Sequence, residues 1–256
     1  MIVPRRLQEH ARQTSVGWRL MITVMTWNVL HRIHAENWGA DIPGRWPDES
    51  ERIAAVTARI AGRAEQVIAL QEVSGDQLAS LRRALPGRTV HVLPYPRVPA
   101  PRNGPCPLDD PREYLVLAVD GPARQIAAEP FEEDPGKGLL AVQTAGILVI
   151  AVHVSSGQRS ARQLERLAEL AATSPEPVVL LGDFNTDRAT VAAGLGPTFT
   201  VADLPPDALP TRPRTSGTKS QFIDHVVVRG AEVGGAVVED ADGLSDHNLV
   251  HATVTL

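Results

Sequence analysis

Cysteine is almost absent from the sequence, which contains a single residue of this type, Cys106. One cysteine cannot form an internal disulfide, and it is too few for a metal cluster held by thiolates. Residues 1–20 include four arginines and lack the apolar core that a signal peptide requires before Met21. We therefore expect a cytoplasmic protein whose fold does not depend on an oxidising compartment.

Long apolar runs and an excess of basic residues are also missing. No stretch approaches the roughly 20 apolar residues that a membrane-spanning helix needs, so the sequence predicts no membrane span. Lysine and arginine number 25 against 30 aspartates and glutamates, which gives a formal net charge of -5. A protein that grips long nucleic acids through many phosphates is usually basic. This balance favours a smaller substrate.

Aromatic residues make up only 4% of the chain, which limits the side chains available for stacking on unpaired bases. There are six phenylalanines and tyrosines and four tryptophans. Trp38 and Trp46 are the best candidates for stacking, because they lie in a predicted loop that follows Asn28.

The remaining composition is that of an ordinary globular protein, since 43% of the 256 residues are apolar and 21% are charged. Segments typical of strands and helices alternate without a repeat, a linker or a change of composition. We interpret residues 21–256 as one domain and residues 1–20 as an N-terminal extension. The predicted strands are 21–29, 67–70, 114–119, 138–143, 147–154, 178–181, 222–228 and 249–256, the predicted helices run from 48 or 50 to 62, over 77–85 and around 164–171, and 93–111 is a predicted loop.

Polar side chains that can bind metal ions or move protons stand at the ends of the predicted strands. Each has an ordinary explanation when taken singly, because aspartate and asparagine often form turns and a lone histidine is more often part of the core. Together they predict one rim of a sheet lined with carboxylate, amide and imidazole groups. The residues concerned are Asn28, Glu72, His153, Asp183, Asn185, Asp224, Asp246 and His247.

Six short motifs that contain these residues occur in a characteristic order. They are Met25-Thr26-Trp27-Asn28-Val29, Gln71-Glu72-Val73, Val152-His153-Val154, Leu181-Gly182-Asp183-Phe184-Asn185, Phe222-Ile223-Asp224-His225 and Ser245-Asp246-His247. In this order they resemble the signature motifs of the endonuclease/exonuclease/phosphatase superfamily, whose fold is shared with deoxyribonuclease I. The resemblance covers about residues 22–256.

The resemblance implies a four-layer α/β sandwich, in which two mostly antiparallel sheets pack face to face with helices on the outside. It also implies a divalent-metal-dependent phosphoesterase, in the first place a phosphodiesterase or nuclease that uses in-line attack of a water molecule. Mg²⁺ is the implied cofactor, with Mn²⁺ as a substitute. The implied substrate is a nucleic acid or a small nucleotide-like diester, and we expect a monomer.

The same resemblance implies which residues bind the metal ion and which residue acts on the attacking water. Glu72 would be the principal metal ligand, helped by Asn28 and Asp246. Asp183 would orient or deprotonate the attacking water, and Asn185 would donate hydrogen bonds beside it.

The resemblance assigns three further residues to the phosphate. His247 would contact the scissile phosphate, while Asp224 would bond the other ring nitrogen and fix the tautomer. His153 stands where the family has a phosphate-contacting histidine or tyrosine. The other histidines considered are expected to be structural, and no zinc site is expected. They are His31, His34, His91, His225 and His251.

Two alternatives stay open, because one fold supports several functions through its loops. The chain could be a phosphomonoesterase acting on a phosphorylated lipid head group, sugar or nucleotide, or a catalytically inactive binding module. Two cationic groups could clamp a second phosphate or could be solvated surface charge. One group is Arg97, Arg102 and Arg112, and the other is Arg212, Arg214 and Lys219.

Overall fold

The structure, a computed structural model, describes residues 20–213 and 221–256. Residues 1–19 of the expected N-terminal extension lie outside the described residues, as do Arg214 and Lys219 of the second cationic group. The strands are β1 (Met21–Asn28), β2 (Val67–Ser74), β3 (Arg88–Pro94), β4 (Glu113–Asp120), β5 (Ala123–Phe131), β6 (Asp134–Thr144), β7 (Ile147–His153), β8 (Val178–Asp183), β9 (Phe199–Val201), β10 (Asp224–Arg229), β11 (Glu232–Val233), β12 (Val237–Glu239) and β13 (Leu249–Thr255). The helices are α1 (Arg32–Trp38), α2 (Ile42–Arg45), α3 (Glu49–Ala61), α4 (Gly75–Ala84), α5 (Ser160–Ala172) and α6 (Arg188–Leu195), with a 3₁₀ turn at Gly157–Arg159.

The described strands form two sheets. One has the order β11-β13-β1-β2-β4-β3, with β12 also paired to β13, and the other has the order β5-β6-β7-β8-β10-β9. Two neighbouring pairs are parallel, β1 with β2 and β7 with β8. The other described pairs are antiparallel. The expected mostly antiparallel arrangement is therefore confirmed.

Three hydrophobic cores separate the four layers of the fold. The middle core lies between the two sheets and includes Val24 of β1 and Val149 of β7. One outer core packs α3 and α4 on the first sheet, with Ile60 among its residues. The other outer core packs α5 and α6 on the second sheet and includes Leu167 and Val191. The four-layer α/β sandwich is confirmed.

Central strands are buried on both faces, which explains their continuous apolar sequences. In β7, Val149 and Ala151 face the middle core. The alternating residues Leu148, Ile150 and Val152 face the helices instead. Successive side chains of a strand point to opposite faces, so this strand supplies two cores at once.

The longer helices begin and end where local signals place them. The Asp48 side chain accepts a hydrogen bond from the Ser50 backbone nitrogen at 2.8 Å, so Asp48 is the N-cap of α3, and Gly62 is its C-cap. Within the described part of the chain, α3 and α5 are the longest helices at 13 residues each. None of the described helices is long and apolar enough to cross a membrane.

Several elements differ from the predictions. Strands β3 and β5 lie at sheet edges and are only partly buried, so their sequences lack a clear apolar pattern. Helices α1 and α2 occupy part of the predicted loop after Asn28, and they are too short to show a helical period. Strand β3 extends to Pro94, and the predicted loop is confirmed for residues 95–111.

Arg52 of α3 connects two loops that carry predicted site residues. The residue is 3% exposed, and the guanidinium donates hydrogen bonds of 2.8 Å to the carbonyl oxygens of Val29, Leu30 and Leu244. It also pairs with the Glu49 carboxylate at 2.6 Å. One buried cation therefore fixes the segment after β1 against the segment before β13.

We expect Arg52→Met to lower the free energy of unfolding by about 3–5 kcal/mol, because three carbonyl oxygens lose their donor and buried Glu49 loses its nearer cation. Urea denaturation with linear extrapolation measures the change. Arg166→Met is the matched control, since it breaks a half-exposed pair with Glu129 and should cost less than about 1 kcal/mol. Similar small losses in both variants would contradict the role of Arg52.

Candidate active site

In the first sheet, a parallel strand pair and a β-bulge bring Asn28 and Glu72 to the same edge. Asn28 ends β1 and stands in register with Gln71 of β2. The pairing of β2 with β4 shifts between Leu70 and Val73, and Glu72 within this shift has a φ of 58°. A non-glycine residue rarely adopts this left-handed conformation. The bulge breaks the alternation of β2 and redirects the Glu72 side chain.

In the second sheet, three predicted residues stand in register on neighbouring strands. His153 of β7 and Asp224 of β10 both pair with Asp183 of β8. A Cβ atom at Gly182 would lie 2.0 Å from the carbonyl oxygen of Val152. The glycine before Asp183 is therefore required by the close approach of β7 and β8 at this point.

Asn28 and His153 join the carboxylates of the two sheets. The Asn28 Nδ2 donates to Glu72 Oε1 at 3.1 Å and to Asp183 Oδ2 at 3.2 Å, while its Oδ1 accepts from the Leu30 backbone nitrogen. The His153 Nε2 lies 3.4 Å from Asp183 Oδ2 and 3.8 Å from Glu72 Oε1. The structure thus brings all four predicted residues together, with the Asn28 amide nitrogen facing the carboxylates.

Lys137 of β6 is a site residue that the sequence does not predict. Its ammonium contacts the Nε2 atom of His153. Burial raises the pKa of Glu72, but His34, Lys137 and His153 outweigh burial and hold this pKa well below its usual range. Burial of Asp183 is likewise outweighed by the hydrogen bond with His153 and by nearby positive charge, so its pKa is also far below the ordinary value. Both carboxylates are ionised at neutral pH.

His247 and Asp224 form a buried pair. The His247 Nδ1 lies 2.9 Å from Asp224 Oδ2, and its Nε2 lies 4.0 Å from Asp183 Oδ2. Burial lowers the pKa of His247, but Asp224 and Asp246 outweigh this and raise it to about 9. The ring is therefore an imidazolium at neutral pH, with Nε2 directed toward the Asp183 side of the site.

The Ser245-Asp246-His247 segment is anchored to the end of β1. The Ser245 hydroxyl donates to the Asn28 carbonyl oxygen at 2.6 Å and accepts from the His247 backbone nitrogen at 3.1 Å. Asp246 Oδ2 accepts from Arg212 at 2.8 and 3.0 Å. Asp246 Oδ1 is buried and has no hydrogen-bond partner among the described residues.

Asn185 is held beside Asp183 by its own backbone. Its backbone nitrogen donates to Asp183 Oδ1 at 2.8 Å, and its side chain donates to the Val154 carbonyl oxygen at 2.9 Å. Asn185 has a φ of 49°. This left-handed turn lets one residue contact both the carboxylate and the residue that follows β7.

His34 and Glu113 lie closer to the site than the sequence indicates. The His34 Nε2 is 3.0 Å from Glu113 Oε2, and His34 lines the cleft that contains Glu72. Glu113 begins β4, which pairs with the end of β2, and this antiparallel register is the signal that places it at the same edge. His225 has the expected structural role, since its Nε2 lies 3.0 Å from the Thr186 carbonyl oxygen.

The site opens into a cleft with a cavity volume of about 660 Å³. Its lining includes Glu72, Asp183, Asn185, Asp246 and His247, together with the cations Arg97, Lys137 and Arg212. A second hollow of about 450 Å³ adjoins it and shares Lys137, Ser156 and Asn185 with the first.

The members of the first cationic group have different positions. Arg97 lines the cleft. The guanidinium of Arg102 lies over the ring of Trp38, 4.4 Å from its centroid. Arg112 is a surface residue whose exposed side chain pairs with neighbouring Asp110. Within this group, Arg97 alone lines the cleft, and Arg102 and Arg112 are exposed outside its lining.

The residues present fit a hard divalent cation. Ligand atoms of Glu72, Glu113 and His153 all lie within 4.8 Å of one another, and the same holds for Asp183, Asp224 and His247. Ionised carboxylates are the ligands that Mg²⁺, Ca²⁺ and Mn²⁺ prefer. The buried, unpartnered oxygen of Asp246 adds a further donor at the same edge.

Comparisons with known proteins bear on the family and the fold of the chain. The sequence model of the Endonuclease/Exonuclease/phosphatase family matches residues 25–247. No match was found among curated proteins.

Several solved structures share the fold. One is D. rerio TDP2 complexed with single strand DNA product, at 13% identity and a TM-score of 0.62 over 91% of this chain and 98% of that chain. Another is a functionally unknown conserved protein from Enterococcus faecalis V583, at 20% identity and a TM-score of 0.64 over 91% and 99% of the two chains. A third is an endonuclease/exonuclease/phosphatase from Bacteroides vulgatus, at 16% identity and a TM-score of 0.64 over 92% and 98%. The family match over most of the sequence shows that the chain belongs to the endonuclease/exonuclease/phosphatase family and is a metal-dependent phosphoesterase.

Proposed function

We propose that the protein hydrolyses phosphodiesters, with Mg²⁺ as its ion and Mn²⁺ as a substitute. The observation that carries this proposal is the continuity of the groove past the carboxylates, because the two hollows share Lys137, Ser156 and Asn185. A diester carries a substituent on each side of its phosphorus, and such a groove has room for both. The D. rerio TDP2 structure, which contains a single-stranded DNA product, supports the same class of substrate.

Glu72 and Asp246 are the proposed metal ligands, supported by Asn28. Glu72 is ionised, and Asp246 has one buried oxygen without a partner among the described residues. The Asn28 amide bonds both Glu72 and Asp183, so it fixes the separation of the two carboxylates. When bound, the cation supplies charge neutralisation at a non-bridging phosphate oxygen.

Asp183 has the proposed role of orienting the attacking water. A carboxylate whose pKa is far below its ordinary value is a weak base, so hydrogen bonding to the water is favoured over full removal of its proton. The backbone of Asn185 and the amide of Asn28 hold this carboxylate in place. The fixed position aligns the water for in-line attack on phosphorus.

His247 and His153 are proposed to contact the phosphate. As an imidazolium, His247 would donate from Nε2 to a phosphate oxygen, while its Nδ1 stays bonded to Asp224. Lys137 adds an ammonium group on the other side of Asp183, where it contacts His153. Fixed donors and charges of this kind stabilise the negative charge that develops on phosphate oxygens in the transition state. The cytoplasmic location and the monomeric state remain predictions.

We expect the protein to hydrolyse bis-p-nitrophenyl phosphate with Mg²⁺ or Mn²⁺ and to lose this activity in EDTA. Asp183→Asn and His247→Gln should each lower kcat by about 100-fold or more, because each removes a group that acts on water or phosphate. Release of p-nitrophenol measures the rate.

The matched controls for these two variants lie outside the cleft. They are Asp203→Asn, which removes an exposed carboxylate, and His251→Gln, which replaces a partly buried imidazole on β13. Both should retain the activity of the unaltered protein. Hydrolysis of p-nitrophenyl phosphate alone would replace the diesterase proposal with a monoesterase, and full activity of Asp183→Asn would remove Asp183 from the mechanism.

The pH dependence of kcat should reflect the protonation state of His247. Its raised pKa keeps the ring protonated below pH about 9, so kcat should fall as pH rises through this value. Asp224→Asn removes a carboxylate that raises the pKa, and it should move the alkaline limb of the profile to lower pH. Glu165→Gln on the exposed face of α5 should leave the limb in place. An identical alkaline limb in Asp224→Asn would contradict the protonated state assigned to His247.

A further inference from the structure

Trp38 is the most exposed large apolar side chain among the described residues, with 74% of its surface accessible. It is the last residue of α1, and the C-cap residue that follows, Gly39, is in a left-handed conformation with a φ of 68°. Tryptophan buries a large area in most folds and is enriched where a ligand or partner covers it. The ring therefore calls for a functional explanation.

Arg102 and Asn37 hold the surroundings of this ring in a fixed arrangement. The Arg102 guanidinium lies 4.4 Å from the Trp38 ring centroid. The Arg102 backbone nitrogen donates to Asn37 Oδ1 at 2.8 Å, its guanidinium donates to the Asn37 carbonyl oxygen at 3.1 Å, and Asn37 Nδ2 donates to the Ala100 carbonyl oxygen at 3.0 Å. These bonds tie α1 to the loop of residues 95–111, so the Arg102 and Trp38 stack exists before any ligand binds.

Trp38 lines the same cleft as the proposed catalytic carboxylates. Trp38, Val98 and Arg97 line the cavity that also contains Glu72 and Asp183. The cleft thus combines these carboxylates with an exposed aromatic ring, an apolar side chain and a cation. A substituent of a phosphate held at the carboxylates would extend along this wall.

Trp46 is excluded from such a role by its position. Its indole nitrogen donates to the Gly243 carbonyl oxygen at 3.0 Å, and its ring packs against two of the hydrophobic cores. The structure therefore separates two tryptophans that the sequence treats as equivalent.

We propose that the free face of Trp38 stacks on an unpaired nucleobase carried by the phosphodiester, with Arg102 supporting the opposite face of the ring. This inference rests on the proposed diesterase function and assigns it a substrate class, short single-stranded or mononucleotide diesters. Every base offers a flat π face, and stacking on aromatic side chains is tolerant of base identity. The formal net charge of -5 fits a short substrate held by one stacked base and a few phosphate contacts.

The test compares two diesters with the same leaving group. One is the p-nitrophenyl ester of thymidine 5'-phosphate, and the other is methyl p-nitrophenyl phosphate, which has no base. Trp38→Ala should lower kcat/KM for the thymidine ester roughly 5- to 100-fold, mainly through KM, as expected for the loss of one stacked base. The rate for the methyl ester should stay within about twofold, since the substitution removes no group that contacts the phosphate.

Three further variants sharpen the comparison. Trp38→Phe retains an aromatic face and should retain most of the preference for the thymidine ester. Asn37→Ala leaves the ring in place but loosens Arg102, and it should lose part of the preference. Ile126→Ala, an exposed apolar change on β5, should lose none. An equal loss of kcat/KM for both substrates in Trp38→Ala, or an unchanged preference for the thymidine ester, would overturn the proposal.

A binding measurement separates this proposal from the diesterase function. Titration with tetrathymidylate in EDTA should quench the tryptophan fluorescence of the unaltered protein, and Trp38→Phe should remove most of the quenching. Inositol 1-phosphate should not quench the fluorescence, because Trp38 is proposed to stack on bases and inositol 1-phosphate has none. Quenching without hydrolysis of either ester would refute the diesterase function alone. Absent quenching, or equal quenching by inositol 1-phosphate, would refute base stacking.

Discussion

Negative charge buried at one edge of the sandwich is the constraint on which the rest of the site depends. Burying a negatively charged carboxylate costs free energy unless cations and hydrogen-bond donors compensate its charge. The carboxylates are Glu72, Glu113, Asp183, Asp224 and Asp246, and the groups that face them are Lys137, Arg212, His34, His153, His247 and Asn28. These groups come from both sheets and from the loops between them, so the site forms only when the two sheets are packed.

Unusual backbone conformations at this edge orient the same side chains. Glu72 and Asn185 adopt left-handed conformations, and Gly182 allows β7 and β8 to approach where a side chain would collide. Local strain of this kind persists where the surrounding structure enforces it, and it is concentrated at functional sites. Arg52 provides part of that enforcement through its bonds to the segments beside β1 and β13.

The sequence predicts the central strands and the motif residues, because strands buried on both faces have unmistakable apolar runs and the motifs have a fixed order. It does not predict β3 and β5, whose edge positions leave them half exposed. Lys137 and Glu113 are missed for another reason: each enters the site through the register of its strand, β6 against β7 and β4 against β2. Trp38 and Trp46 are distinguished only by packing.

Binding of Mn²⁺ tests most directly the claim that this buried charge exists to hold a divalent cation. Titration of the protein by isothermal calorimetry, without substrate, should show saturable binding that Glu72→Gln weakens by at least roughly tenfold, the lower end of the losses that follow removal of groups supporting a metal site. Glu129→Gln removes a carboxylate from a half-exposed surface pair and should leave the affinity unchanged. Equal affinity in the two variants, or no binding by the unaltered protein, would contradict the account.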